Sequence, residues 1–262
     1  MITRRQFLGL PLGLLLWPGR AHGALEQRTG TYGVDVGILY GALGFHLDGV
    51  ITEHRDRSAG RYEVTIAGQG TGLMNRIQSA GVLEAGRWVP VRTSAWFVVY
   101  GREARTAIAY DHTRRTISYW SRSETFWLRR VRLADDVVAI PEGTRVDDAV
   151  SAALNYADGQ WVPEAGGILE THVVRRRRSP GEGVDDTAPR YRAELVPLRL
   201  RLEPDPATGR ASALLDFTRF SSWARESEPA RIVFGPDRRP ETITSSLMLG
   251  TSLVIRIAGV PA

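Results

Sequence analysis

Apolar and polar residues alternate with a period of two over much of the chain, most regularly across residues 61–120. Tyr62, Val64 and Ile66 fall on one face of an extended segment. The alternation recurs over residues 89–99, 106–110 and 117–119, with glycine, proline or polar turns between the runs. This period is typical of strands buried on one face, and short turns favour antiparallel neighbours. The pattern therefore predicts an antiparallel meander.

The second half of the chain extends this pattern and adds one helix. Alternating or β-branched runs predict strands over residues 167–176, 190–202, 212–220, 231–234 and 253–258. Residues 147–158 predict the helix, with Asp147 as its N-cap and Gly159 as its stop. Leu73 and Ile77, which are four residues apart, predict an additional helical turn. The expected fold class is mainly β: a curved antiparallel sheet or open β-barrel/meander with one short helix at its mouth.

The N-terminus resembles a twin-arginine export signal. Arg4 and Arg5 precede Phe7 and Leu8, and an apolar run continues to residue 17. Such a run is too short to cross the roughly 30 Å hydrocarbon core of a bilayer, which favours a signal peptide over an anchor. The alternative is a buried N-terminal helix. We expect a cleaved signal peptide over residues 1–23, a linker over residues 24–31 and a single β-rich domain over residues 32–262, located in the periplasm.

Composition excludes several kinds of chemistry. The chain has no Cys, and all 34 of its basic residues are Arg. Disulfides, thiolate catalysis, Cys-ligated zinc and lysine Schiff bases are therefore excluded. Without residues 1–23, 31 Arg face 29 acidic residues, a net charge of +2. A nearly balanced charge does not predict nucleic-acid binding.

Several short segments resemble one bacterial family. Residues 71–73, Gly81, residues 86–92 and the run 146–154 are similar to the family called domain of unknown function 3108, over residues 32–258. The resemblance implies an exported, β-rich protein without a settled catalytic motif, so it supplies no site residues.

Motifs for catalysis or metal binding are not evident in the sequence. His46, His54, His112 and His172 form no pair with metal-ligand spacing, so neither a metal nor another cofactor is predicted. Nucleophile motifs are absent, and the glycine-rich residues 68–72 lack the lysine of a phosphate-binding loop. No catalytic residue is assigned.

Large aromatic residues suggest a binding cavity. Residues on one face of the strand 88–100, together with those near the next strands, are predicted to line it: Trp88, Trp96, Tyr100, Trp120 and Trp127. Such groups line either an apolar ligand cavity or an ordinary core. Both interpretations are open at this point.

The strongest charge run could contact anions. It comprises Arg175, Arg176, Arg177 and Arg178. These residues form either a solvated hairpin tip balanced by nearby acids or a contact with anionic lipid head groups or phosphate-bearing envelope polymers.

Three hypotheses follow. The first is a non-enzymatic envelope protein that binds or carries an apolar or amphiphilic ligand, such as a lipid, and is delivered by the twin-arginine export machinery. The second is a scaffold that assists an envelope complex through an exposed edge strand, the arginine run and a protein partner. The third is a hydrolase whose carboxylate or histidine site the sequence does not reveal.

Overall fold

A computed structural model describes residues 25–38, 40, 43–125, 127–164, 166–179, 181–183, 185–216, 218, 220, 224, 228–247 and 250–259. The predicted export residues Arg4, Arg5, Phe7 and Leu8 and the cleavage site before Ala24 lie outside these residues.

The described residues form fourteen strands and one helix. In chain order they are β1 (Leu25–Ile38), β2 (Leu43–Asp56), β3 (Arg61–Gly70), β4 (Leu73–Glu84), β5 (Arg87–Val99), β6 (Arg102–Asp111), β7 (Thr116–Glu124), β8 (Val131–Ala139), α1 (Ala149–Ala157), β9 (Ile168–Arg176), β10 (Ala193–Pro204), β11 (Ala211–Leu215), β12 (Ala230–Phe234), β13 (Pro240–Leu247) and β14 (Thr251–Gly259).

The strands form one antiparallel sheet that nearly closes on itself. Its order is β8-β7-β6-β5-β4-β3-β2-β1-β14-β13-β12-β11-β10-β9. Consecutive strands are therefore paired except β8 and β9, which form the two edges, and β1 also pairs with β14. The free edge of β9 is covered by a parallel bridge between Val146 and His172, and β8 meets Tyr191 through Ala134. The predicted fold class, a curved antiparallel sheet or open barrel with one helix, is confirmed.

Two local predictions are wrong. Residues 25–31 were expected to form a linker, but they belong to β1, which pairs with β2 from Leu25 onwards. Glu26 reaches Arg55 on β2 at 2.5 Å, a contact across the sheet that local sequence does not encode. Leu73 and Ile77 lie on strand β4, not on a helical turn, because β4 is paired on both sides by β3 and β5.

A bulge in β5 determines which of its side chains point inwards. Gly81 pairs with Pro90 and Ala80 with Arg92, so Val91 is an extra residue without a partner on β4. An extra residue reverses the inside-outside alternation beyond it. Trp88 is fully buried on the inner face, whereas Trp96 follows the bulge and lies on the outer face.

Helix α1 lies inside the curved sheet and joins its two walls. Trp88 of β5 packs with Leu154, while Tyr156 packs with Leu169 and Ala213 on the opposite wall. The helix begins one residue later than predicted. Asp148, rather than Asp147, is the N-cap, because its side chain accepts a hydrogen bond from the Ser151 amide.

Candidate functional site

A cavity of about 600 Å³ lies between α1 and the inner faces of β1–β4, β13 and β14. This volume falls within the range of roughly 300–1,000 Å³ that is usual for small-molecule sites. The inward positions of the strands supply aliphatic side chains to its wall, including Ile51, Ile66, Ile77, Ile243 and Ile257. An interior of this kind is chemically suited to hydrocarbon and offers few partners to a polar ligand.

The helix contributes small side chains to the cavity wall. Ala149 and Ala153 face the cavity beside Val150 and Leu154. Because the first two end at Cβ, the helix does not fill the space between the two walls. The cavity therefore follows from the volume of particular side chains on a helix that is otherwise well packed.

Charged side chains, from half-exposed to buried, line one part of the cavity wall. Arg28 donates to Asp237 at 2.9 Å, and Arg239 donates to both oxygens of Glu53 at 2.5 and 2.8 Å. Glu241 also lines the cavity and is paired. We call these five residues the mouth. Opposite charges within it are matched, so it is polar without a strong net charge.

The ion pairs continue from the mouth to the end of α1. Arg55 is buried and contacts Glu53 at 2.7 Å and Asp158 at 3.1 Å. Burial acts to raise the pKa of Asp158, but the hydrogen bond from Trp88 and the charges of Arg55 and Arg57 outweigh it and hold that pKa below its usual value. The C-terminal end of α1 is thereby fixed to β2 and β5.

A separate buried network holds the other end of the helix. The carboxylate of Asp147 accepts hydrogen bonds from Arg87 at 2.6 Å, Thr171 at 2.6 Å, Asn155 at 2.9 Å and Ser151 at 3.1 Å. Burial raises the pKa of Asp147, and the charge of Arg87 opposes that rise. With these donors in place, the carboxylate joins β5, β9 and α1 and has no lone pair directed at an open cleft.

Asp148 completes this network. Its carboxylate accepts hydrogen bonds from Ser79 at 2.5 Å, from the Ser151 amide at 2.7 Å and from Thr93. Tyr62 in turn shares a 2.9 Å hydrogen bond with Ser79. Burial, with the nearby charge of Asp148, raises the pKa of Tyr62. Both carboxylates are thus structural in geometry, and the pair does not resemble an acid–base site open to a substrate.

The histidines occupy separate places. His46 lies between Asp35 at 2.7 Å and Asp48 at 3.0 Å on the exposed surface, and hydrogen bonds to these carboxylates raise its pKa. His112 bonds the Pro90 carbonyl at 2.8 Å, where β5 extends beyond its pairing with β6. His54 borders a shallow outer pocket and His172 lies 3.8 Å from Glu170. Across the described residues, no group of three or more metal-binding side chains is placed to hold an ion.

The aromatic residues predicted to line one cavity are not brought together. Trp88 is fully buried and donates through Nε1 to Asp158 at 2.8 Å. Trp96 and Trp120 border a shallow groove on the outer face, and Arg105 stacks over Trp96. Tyr100 and Trp127 are exposed near hairpin turns. The bulge at Val91 corrects the prediction that Trp88, Trp96 and Tyr100 share a face.

The arginine run is largely paired within the protein. Arg175 and Arg177 contact Glu194 at 2.6 and 3.2 Å, and Arg176 contacts Glu182 at 2.7 Å. Arg178 donates to the carbonyls of Thr218 and Glu182. These partners reduce the charge available to an external anion, although 63% of the Arg177 side chain remains exposed.

Sequence reasoning missed the residues that line the cavity. Ile51, Ile66 and Ile257 have the inward parity of ordinary core residues, so alternation predicted their burial and not the void beside them, and Ile77 was assigned to a helical turn. The available signal was the pair Ala149 and Ala153, small residues on the helix face that a tightly packed core would fill with larger side chains.

No protein-family model and no curated protein matches the chain. One solved structure with some likeness is the crystal structure of a beta-barrel-like protein of domain of unknown function DUF1849 from Brucella abortus. It is 9% identical, and the match covers 90% of this chain and 98% of that chain with a TM-score of 0.36. In the described part of the chain, no helix has the length and apolar character required to span a membrane.

Proposed function

We propose that the protein is an exported, periplasmic binder or carrier whose cavity holds the apolar part of an amphiphilic ligand. The observation that carries this proposal is the aliphatic cavity of about 600 Å³ between α1 and the sheet. Isoleucines from five strands converge on it, so burial of a hydrocarbon chain there would remove apolar surface of both molecules from water.

The mouth orients the ligand. A polar head group placed beside Arg28 and Asp237 would stay near solvent, because 36% and 45% of these two side chains are exposed. The two side chains are hydrogen-bonded to each other in the cavity wall. The hydrocarbon would then lie along the isoleucines, away from the ion pairs. Ligand specificity is expected to depend mainly on chain length and shape.

Filling the cavity tests this proposal. Ala153→Phe adds a ring from the helix side, and Ile243→Phe adds bulk from the opposite wall. Each should weaken binding of a fluorescent fatty-acid probe by at least about tenfold, which corresponds to roughly 1.4 kcal/mol. Ala107→Phe, on the exposed outer face, is the matched control and should bind like the wild type.

Thermal melts of every variant identify any that fail to fold. No probe binding by the wild type, together with no retained ligand in native mass spectrometry of the protein purified from its own periplasm, would refute the carrier function. Unchanged binding by a folded Ala153→Phe variant would place the ligand elsewhere.

Export forms the other half of the proposal and is supported by the sequence motif and by the resemblance to an exported family. Replacing Arg4 and Arg5 together by Lys should block translocation, because the twin-arginine signal depends on the arginine pair. Cell fractionation measures the effect, and N-terminal sequencing of the periplasmic protein should begin at Ala24. Unchanged periplasmic yield would show that another route is used.

A further inference from the structure

One end of the barrel carries a concentration of exposed apolar side chains. The turns that join β1 to β2, β3 to β4, β5 to β6 and β7 to β8 all lie at this end, as the strand registers require. At or next to these turns, the large exposed residues are Tyr40, Met74, Phe97, Tyr100, Trp127 and Leu128. We call this surface the apolar end. Tyr40 is 89% exposed, and Trp127 and Leu128 are 60% and 58% exposed.

The turns at the apolar end are held to one another. The Tyr100 amide donates to the Gly72 carbonyl at 2.7 Å, and Arg129 donates to the Gly101 carbonyl at 2.9 Å. The backbone amides of Trp127 and Leu128 donate to Asp185 at 3.0 and 2.8 Å. These bonds fix the backbone while the side chains of Trp127 and Leu128 remain exposed. The apolar groups are therefore held in place on the outer surface.

Positive charge surrounds these apolar groups. Residues 100–105 and 122–132 contain six arginines and only two glutamates. Much of this charge is offset within the protein: Arg105 contacts Glu103 at 3.0 Å, Arg122 and Arg129 contact Glu124 at 3.6 and 3.3 Å, and the largely buried Arg132 contacts Glu182 at 3.6 Å. Together with Asp185, four acidic residues face the six arginines, so a small positive excess remains beside Trp127 and Leu128.

The opposite end of the barrel differs. Three of its turns, at residues 57–60, 112–115 and 235–239, are rich in charged and polar residues, and the mouth of the cavity lies beside the last of them. The asymmetry shows that the exposed apolar groups are not a general property of the hairpin turns in this chain.

We propose that the apolar end docks on the surface of a lipid bilayer that contains anionic head groups. Trp and Tyr suit the boundary between head groups and acyl chains, because their rings are apolar and their N–H or O–H groups stay hydrated. Arginines beside them attract anionic lipids and extend towards the head groups. A second copy of the chain is a poorer occupant, since two such ends would oppose like charges.

This surface is distinct from the cavity, and its test does not depend on ligand binding. The full protein is mixed with vesicles of equal parts phosphatidylglycerol and phosphatidylethanolamine and sedimented. We expect binding that weakens with added salt and that falls by at least about tenfold in Leu128→Ser. Leu25→Ser is the matched control, because Leu25 is exposed to a similar degree, 61%, at the other end of the barrel.

A second measurement locates the contact. Brominated lipid should quench the tryptophan fluorescence of the wild type, and Trp127→Phe should remove most of that quenching while retaining most of the binding. The proposal is overturned if the wild type does not sediment with the vesicles, or if Leu25→Ser reduces binding as much as Leu128→Ser. It is also overturned if the protein dimerises without vesicles and Leu128→Ser abolishes the dimer, because a second copy would then cover the apolar end.

Discussion

Replacing Asp148 by Ala should remove the element that positions α1 inside the sheet. The Asp148 carboxylate accepts hydrogen bonds from Ser79, Thr93 and the Ser151 amide, and the residue is 6% exposed. Loss of an N-cap costs about 1 kcal/mol. Each buried hydroxyl left without an acceptor costs about 1–3 kcal/mol. The substitution also removes the desolvation cost of the buried Asp148 carboxylate, which offsets part of this loss. We therefore expect the free energy of unfolding to fall by about 3 kcal/mol.

Urea unfolding followed by circular dichroism measures this loss. A double-mutant cycle of Asp148→Ala with Ser79→Ala should give a coupling energy of about 1 kcal/mol, because Ser79→Ala breaks no hydrogen bond to residue 148 once the Asp148 carboxylate is gone. Asp135→Ala, at an exposed position on the outer face, is the control and should change stability by less than about 0.5 kcal/mol. A loss below about 1 kcal/mol for Asp148→Ala, or no coupling to Ser79, would refute the network as described.

Three further predictions test the fold and its charges. Trp88→Ala should lower the free energy of unfolding by about 3–5 kcal/mol and Trp96→Ala by less than about 2 kcal/mol, because only the Trp88 ring is enclosed. Equal losses for the two variants in urea unfolding would refute the bulge. Glu53→Gln should lower the free energy of unfolding by about 3 kcal/mol, because Arg55 and Arg239 each lose a charged partner. Glu241→Gln, in a more exposed pair, should lower it by less than about 1 kcal/mol. Because the folded-state pKa of Asp158 is lowered, its contribution is present above its unfolded pKa and is lost as pH falls through the folded value. Thermal stability should therefore decline below about pH 4, and a constant melting temperature there would contradict this assignment.

The period of two predicted most strands because each strand buries one face, a property written in consecutive residues. It failed where pairing partners decide the outcome. Residues 25–31 show little apolar alternation, yet they form the start of β1, because β2 pairs with this segment from Leu25 onwards and β14 joins on the other side from Gly30. The bulge at Val91 likewise depends on the register between β4 and β5. One unpaired residue was enough to place Trp96 on the opposite face from Trp88.

The cavity was beyond sequence patterning for a different reason. Alternation reports whether a position faces inwards, and Ile66, Ile77 and Ile257 satisfy it equally whether they touch a neighbour or a void. What creates the void is a volume deficit, which depends on where Ala149 and Ala153 meet strands far away in the chain. Their positions are set by the hydrogen bonds of Asp148 at one end of the helix and by the ion pairs of Asp158 at the other. Two polar clusters at the ends of the helix therefore determine the distance between helix and sheet, and with it the space available to a hydrocarbon chain.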